Sequence, residues 1–254
     1  MSQSSQRPNV LILGATGGIG SALARQLVTL GYGLSLAARG SERLDTLATE
    51  LKAHSGPVDA TDSASVEACV AMAFDQLGSL QGVVNCAGSL LLKPAHTTTD
   101  EEWAGVLAAN LNSSFYVLRS AASRMMRSGG GSIVLLSSAV AQRGMINHEA
   151  IAAAKAGVAG LALAAAATYA RYNIRVNCVA PGLTRTPLTQ ALTKTETSLK
   201  MSAALHPLGR IGEPDEVANA IRWFLSPENS WVTGQALAVD GGLSSLQARN
   251  QPST

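Results

Sequence analysis

The sequence predicts an α/β fold, a doubly wound parallel sheet of about seven strands with helices on both faces. Three observations carry that expectation. Short apolar runs alternate with helical patterns from one end to the other, a glycine-rich turn follows the first apolar run, and 254 residues at 46% hydrophobic suffice for one sizeable core. No long linker interrupts the pattern, so residues 1–254 are expected to form a single domain.

Strands are expected at residues 10–13, 33–37, 82–85, 132–137, 174–179 and 236–239, each a short run buried on both faces. Helices are expected at 19–30, 42–52, 63–76, 100–127, 151–171 and 214–225, the last opened by Pro214, a residue tolerated in a first turn. Residues 128–131 read as a glycine turn before a strand. Residues 187–210 differ: Thr and Ser dominate, with leucines at Leu188, Leu192, Leu199 and Leu205. The segment is expected to form a substrate lid, the alternative being a pair of surface helices that periodicity does not distinguish.

A net charge of +2 with scattered Lys and Arg argues against nucleic acid as a partner. Cys69, Cys86 and Cys178 are odd in number and lack metal-ligand spacing, which suits reduced thiols in a cytoplasmic protein and no metal site. Residues 1–8 are polar, without the apolar centre of a secretory signal, and are expected to be a disordered tail. The alanine-rich stretch 150–170 is the one long apolar run, but Lys155 in its first turns favours a packing helix over a membrane span.

Gly14, Ala15, Thr16, Gly17, Gly18, Ile19 and Gly20 follow the first expected strand and open the first expected helix. Small residues there admit a pyrophosphate to the backbone, and the helix N-terminus offers it unpaired N–H groups and a positive dipole end. At the end of the second strand, an acidic residue would accept hydrogen bonds from ribose hydroxyls; this chain has Arg39 and Ser41 instead. A guanidinium and a hydroxyl suit a 2′-phosphate, so NADP(H) is expected and NAD(H) less so. The alternative for Arg39 is a solvated side chain stacked on adenine.

Taken in order, the motifs resemble those of the short-chain dehydrogenase/reductase family along nearly the whole chain, most like the 3-oxoacyl-carrier-protein reductases with their Rossmann-like sheet. The stretch Val58, Asp59, Ala60, Thr61, Asp62 is similar to the family's adenine-contacting stretch. Asn85, Cys86, Ala87, Gly88 resembles the Asn-Asn-Ala-Gly turn, with cysteine for the second asparagine. Asn110 matches the helix asparagine that holds a water beside the active-site lysine. Pro181, Gly182, Leu183, Thr184, Arg185 and Thr186 look like the turn that receives the nicotinamide end, with Thr186 near its carboxamide. Residues 231–234 and 240–242 match the C-terminal strand region. The resemblance implies cofactor contacts from Gly14, Thr16, Gly18, Ile19, Gly20, Arg39, Ser41, Asp59, Ala60, Asn85, Ala87, Gly88, Lys155, Pro181, Gly182, Thr184 and Thr186.

It also implies a Ser and a Tyr-x-x-x-Lys active site, here carried by Ser138 and Lys155. The place four residues before Lys155, where the family has its catalytic tyrosine, holds Ile151. In the family that tyrosine gives the carbonyl oxygen a proton while serine hydrogen-bonds it and lysine binds ribose and lowers the phenol pKa. Isoleucine exchanges no proton. Such catalysis contributes about 10²–10⁴-fold, so a carbonyl reductase with Asn110, Ser138 and Lys155 but no donor is expected to be slow.

His148, three residues before Ile151, is the candidate replacement donor because imidazole titrates near neutral pH, with Glu149 available to tune it; the alternative is an exposed helix-cap residue. Lys155 could serve ribose binding alone, and Ser138 could be an ordinary strand-end serine. Tyr169 and Tyr172 lie about four turns of roughly 5.4 Å beyond Ile151, too far to stand in. The expected function is therefore an NADP(H)-dependent oxidoreductase acting on an apolar carbonyl or alcohol. A second reading is reduction of an enoyl or dienoyl thioester, although Val140 stands where dienoyl reductases have a substitute tyrosine. A third is a non-catalytic dinucleotide-binding sensor or scaffold. The Gly157/Gly160 face of the alanine-rich helix and the C-terminal strand resemble tetramer surfaces, so a homotetramer is expected, the alternative being packing within one subunit.

Overall fold

The computed structural model describes residues 7–40 and 42–247. Seven parallel strands form one sheet: β1 (Asn9–Leu13), β2 (Gly33–Ala38), β3 (His54–Pro57), β4 (Gly82–Asn85), β5 (Gly131–Leu136), β6 (Ile174–Pro181) and β7 (Ala236–Val239). Their order is β3-β2-β1-β4-β5-β6-β7, so the chain winds outward from β1 in one direction, then crosses to β4 and winds the other way. The reversal between β1 and β4 opens a crevice at the strands' carboxyl ends, the general ligand place of such sheets.

The alternation of buried side chains explains the two helical layers. Leu11 and Leu13 of β1 join one apolar cluster with Val70, Val117 and Val158. Val10 and Ile12 face the opposite cluster, with Leu23, Leu47 and Phe224. The first layer consists of α3 (Ser63–Leu77), α5 (Ser113–Met125) and α6 (Glu149–Tyr169); the second of α1 (Gly18–Thr29), α2 (Glu42–Leu51) and α8 (Pro214–Leu225). A strand with apolar residues on both faces must be covered on both.

All six expected strands form, with ends shifted by a residue or two. The seventh, β3, has no apolar run: His54, Ser55, Gly56 and Pro57 are strand because an edge place beside β2 supplies their pairing, from Ser35↔His54 to Ala38↔Pro57. Proline is tolerated at such an edge. The helix expected over 100–127 is instead two, α4 (Asp100–Leu107) and α5, joined by a π-helical turn at Ala108–Asn112. The Ser113 N–H bonds the Ala108 carbonyl across the widened turn, and the Ser113 hydroxyl donates to the Ala109 carbonyl (2.8 Å) that this leaves without its usual i+4 partner, while the Ser114 hydroxyl donates to the Asn110 carbonyl (2.8 Å).

Among the described residues one helix, α6 with the turn that follows it, is long and apolar enough to cross a membrane by length and composition. In the fold its Ala154, Val158, Ala162 and Ala165 recur at helical spacing and pack inward. Gly157 faces Leu111 within the subunit, where a Cβ would sit 3.0 Å from the leucine side chain, while Gly160 meets nothing within 4 Å. Of the two glycines expected on an assembly face, only Gly160 points outward.

Residues 187–210 contain a short 3-10 turn at Gln190–Thr193 and helix α7 (Glu196–Ala204), none of whose residues is buried. The expected tail at 1–8 falls almost wholly outside the described residues, as does Ser41.

Candidate functional site

The glycine loop is set by steric necessity. Gly14 has φ +73°, and a Cβ on it would lie 2.6 Å from the Ala87 nitrogen and the Cys86 carbonyl carbon. A Cβ on Gly20 would strike the Gly14 carbonyl oxygen. The loop closes by the Gly17 N–H donating to the Gly14 carbonyl (3.0 Å), and α1 begins at Gly18 with neither a side-chain cap nor an acidic residue in its first turn. Its leading N–H groups lack intrahelical acceptors by geometry. A positive helix end, a cradle that a Cβ would fill and no competing carboxylate together fit a pyrophosphate.

Arg39 is exposed at the end of β2. Asp59 accepts from the Thr61 hydroxyl (2.7 Å) and N–H (2.9 Å), and these bonds, with the Arg39 charge nearby, hold its carboxyl below the usual range. Ala60 follows it, half-buried. The sequence did not single out Arg43, whose Nη2 donates to the Thr16 carbonyl at 2.6 Å and so lies across the loop's edge. A signal was available: a cation in the first turn of a helix opposes the macrodipole and suggests an anion partner.

Beyond the reversal point, Asn85 is buried with its amide fully engaged. Its Oδ1 accepts the Ala87 N–H (3.1 Å), and its Nδ2 donates to the Ser113 and Ser114 hydroxyls at 3.2 Å. Its side chain therefore braces the Cys86-Ala87-Gly88 turn. A Cβ on Gly88 would lie 2.9 Å from Asn110 Oδ1 and 3.6 Å from Lys155 Nζ, so this exposed glycine marks where the two side chains converge. Asn110 is held by Ser89 and by the Val106 carbonyl, to which its Nδ2 donates at 2.9 Å.

Lys155 is buried on α6 and donates to the Leu136 carbonyl at the end of β5 (2.8 Å). Burial lowers its pKa to about 8, against a smaller opposing influence of Cys86 and Cys178. The Cys86 sulfur, enclosed beside it, is pushed up to about 12 by burial. Of two adjacent serines, Ser137 is spent on the Lys155 carbonyl (2.8 Å), whereas Ser138 accepts the Val140 N–H at 3.4 Å and donates to no acceptor among the described residues.

Ile151 is buried with Ala150, Ala154 and Val106, and Leu90, Leu91, Leu92 and Val140 pack on this cluster. One turn earlier, His148 stands as the N-cap of α6 without capping it; its Nδ1 lies 2.7 Å from the Ile146 carbonyl. A ring nitrogen facing a carbonyl carries the proton, which leaves Nε2 as the site of exchange.

The expected nicotinamide turn ends β6. The Gly182 N–H donates to the Val239 carbonyl (3.0 Å), and the buried Thr184 returns its hydroxyl to the Gly182 carbonyl (3.1 Å), so Thr184 shapes the turn. The Thr186 methyl lies 2.8 Å from where a Gly18 Cβ would be, which brings this segment against the glycine loop. A cavity of about 650 Å³ adjoins the turn, lined by Leu183, His206, Leu208, Asp240 and Leu246 among others.

A profile described as enoyl-(acyl carrier protein) reductase matches residues 14–244. The 3-oxoacyl-[acyl-carrier-protein] reductase FabG of Thermotoga maritima is 36% identical over 242 residues, covering 92% of this chain and 96% of that protein. The inactive 2-(S)-hydroxypropyl-CoM dehydrogenase 2 of Xanthobacter autotrophicus is 34% identical over 230 residues, 88% of this chain and all of that one. The crystal structure of a single-substitution variant of actinorhodin polyketide ketoreductase with NADPH superposes with a TM-score of 0.90 at 32% identity, covering 94% of this chain and 98% of that one.

Proposed function

The chain belongs to the short-chain dehydrogenase/reductase family of oxidoreductases, and from that premise we propose that it is an NADP(H)-dependent oxidoreductase for an apolar carbonyl or alcohol, with Ile151 at the family's tyrosine place. The observation that carries this is the grouping of Asn110 and the buried Lys155 about Gly88, with Ile151 and an aliphatic wall one turn before Lys155 on α6. Polar groups that persist beside such a wall suit a substrate with one oxygen and an apolar body.

When bound, the dinucleotide exchanges hydride at its nicotinamide ring. The N–H groups at Gly18, Ile19 and Gly20 would hold its pyrophosphate, with Arg39, Arg43 and Ser41 toward the 2′-phosphate and Asp59 and Ala60 at the adenine. Pro181, Gly182 and Thr186 would receive the nicotinamide end, and Lys155 the ribose. Ser138 would hydrogen-bond the substrate oxygen through its free hydroxyl and keep its proton. His148 donates from Nε2, and because Nδ1 keeps its own proton on the Ile146 carbonyl, it acts as an acid only when the ring is doubly protonated. We assign the protein to the cytoplasm as a homotetramer; the fully exposed Trp231 (99%) and the open edge of β7, with Leu237 outward, support an assembly face there.

Two other readings have support. Reduction of an enoyl thioester is favoured by the matched profile's description, and a role without turnover by Ile151 and the inactive relative. Fluorescence titration with NADPH and NADH, followed by NADPH consumption over ketones, oxoacyl thioesters and enoyl thioesters, separates the three. Turnover of ketones supports the proposal, turnover of enoyl thioesters alone replaces it, and tight binding with no turnover favours the non-catalytic role. His148→Phe with unchanged ketone reduction removes His148 from the mechanism.

A further inference from the structure

His206 is the buried histidine among the described residues, 3% exposed, two positions beyond α7. Its Nε2 accepts the Leu183 N–H at 3.3 Å and its Nδ1 lies 2.8 Å from the Ser202 carbonyl. These partners fix the tautomer: a nitrogen that receives an N–H must offer a lone pair, so the proton sits on Nδ1 and the ring is neutral. One bond thus reaches the last turn of α7 and the other reaches the residue directly after Pro181 and Gly182. The seat is tight, since a Cβ on Gly182 would lie 3.0 Å from His206 Nε2 and 2.8 Å from the Asp240 Cα. Nearby charges are already engaged. Asp240 accepts from the Gly242 and Ser244 N–H groups (2.9 and 2.7 Å), and Arg210 pairs with Glu216 at 2.6 Å.

Helix α7 buries none of its own residues, so it has no apolar stripe to hold it to the body of the protein. We infer that His206 is a positioning residue that latches α7 to the Pro181–Gly182 turn, so that the substrate-side helix and the nicotinamide-side turn move as one piece. The inference deepens the proposed function and rests on it for the roles of the two segments it joins. Losing the latch loosens how substrate is seated and leaves the dinucleotide's phosphate cradle at Gly14–Gly20 untouched.

Amide hydrogen exchange on the cofactor-free protein, resolved to Leu183 and to residues 196–205, tests the latch without needing turnover. His206→Phe should exchange about tenfold faster at both places, the scale of one lost hydrogen bond, with β5 and β6 unchanged. His206→Gln retains an acceptor that reaches Leu183 and should restore protection there alone; His206→Asn retains a donor for Ser202 and should restore α7 alone. Unchanged exchange in all variants, or acceleration spread equally through the sheet, overturns the latch. In parallel, NADPH affinity should stay within about twofold of wild type while the substrate KM rises about tenfold and kcat moves less. Failure of wild type to bind NADPH defeats the cofactor assignment, and the exchange result still decides the latch.

Discussion

The glycine loop and the start of α6 are built on different principles. The loop works through backbone: Gly14 and Gly20 are glycine because a Cβ there meets main-chain atoms. The start of α6 works through side chains, where Ile151 and Lys155 are both buried one turn apart and where, on the proposed function, an aliphatic group at Ile151 alters the chemistry and leaves the helix as it is. A backbone-built site is protected by sterics, whereas a side-chain-built site can lose or change its reaction while its scaffold stays intact.

The largest expected effect comes from making the second region obey the family pattern. Ile151→Tyr should raise ketone reduction by about 10²–10⁴-fold with NADPH affinity unchanged. The larger ring costs about 1–3 kcal/mol of overpacking against Leu90–Leu92 and Val140, visible as a lower Tm. Absence of any gain would mean that the surroundings of Lys155 serve another reaction. Gly20→Ala attacks the first region instead, and its collision with the Gly14 carbonyl should weaken NADPH binding by up to about a hundredfold by titration. Arg39→Ala should cost about tenfold in NADPH affinity and leave NADH as it was, the loss of a charge-assisted bond to phosphate. Equal losses for both cofactors would point to stacking on adenine.

The smallest effect separates Lys155 from the rest by pH. Lys155 ordinarily titrates at 10.5 and here at about 8. Between those values the unfolded chain binds the additional proton, so stability rises with pH there. The buried thiols act in the opposite sense: Cys69, Cys86 and Cys178 move from 9.0 to about 11, 12 and 11, so the native state holds their protons and stability falls above pH 9. From pH 8 to pH 9 the lysine contributes about 1 kcal/mol and the three thiols together remove about as much, so stability should stay nearly level there and decline above pH 9. Lys155→Met should remove the lysine's share, so that the decline already begins between pH 8 and pH 9, as read by chemical denaturation.

What the sequence made legible follows the same division. Apolar runs placed six strands because burial on both faces leaves a plain signature, and the glycine loop was readable because its spacing is steric. β3 was not, since its pairing comes from β2 and from nothing in His54–Pro57. The break between α4 and α5 was not, because the apolar pattern runs through Ala108–Asn112 and only the serine hydroxyls after it report the widened turn. Asn85 and Thr184 were expected at the cofactor, yet their side chains are committed to the turns they stabilise. Of the two adjacent serines, Ser137 bonds the Lys155 carbonyl and Ser138 keeps its hydroxyl proton available, a difference that only the fold reveals. His206 left no trace in the sequence, since its function as a bridge exists only once α7 and β6 have been brought together.

The widened turn at Ala108–Asn112 also marks where the chain could lose length. It amounts to one residue more than a continuous α-helix needs, taken up by closing a turn at i+5 without the usual rotation of about 100° that an added residue brings. Deleting one of its five residues would let α4 run straight into α5 with Val117, Leu118, Ala121, Ala122 and Met125 still facing the sheet. A deletion inside α5 would instead turn the later of these positions off that face by about 100°. A codon lost within the wide turn spares the fold and forfeits only the bulge that seats Asn110 beside Lys155.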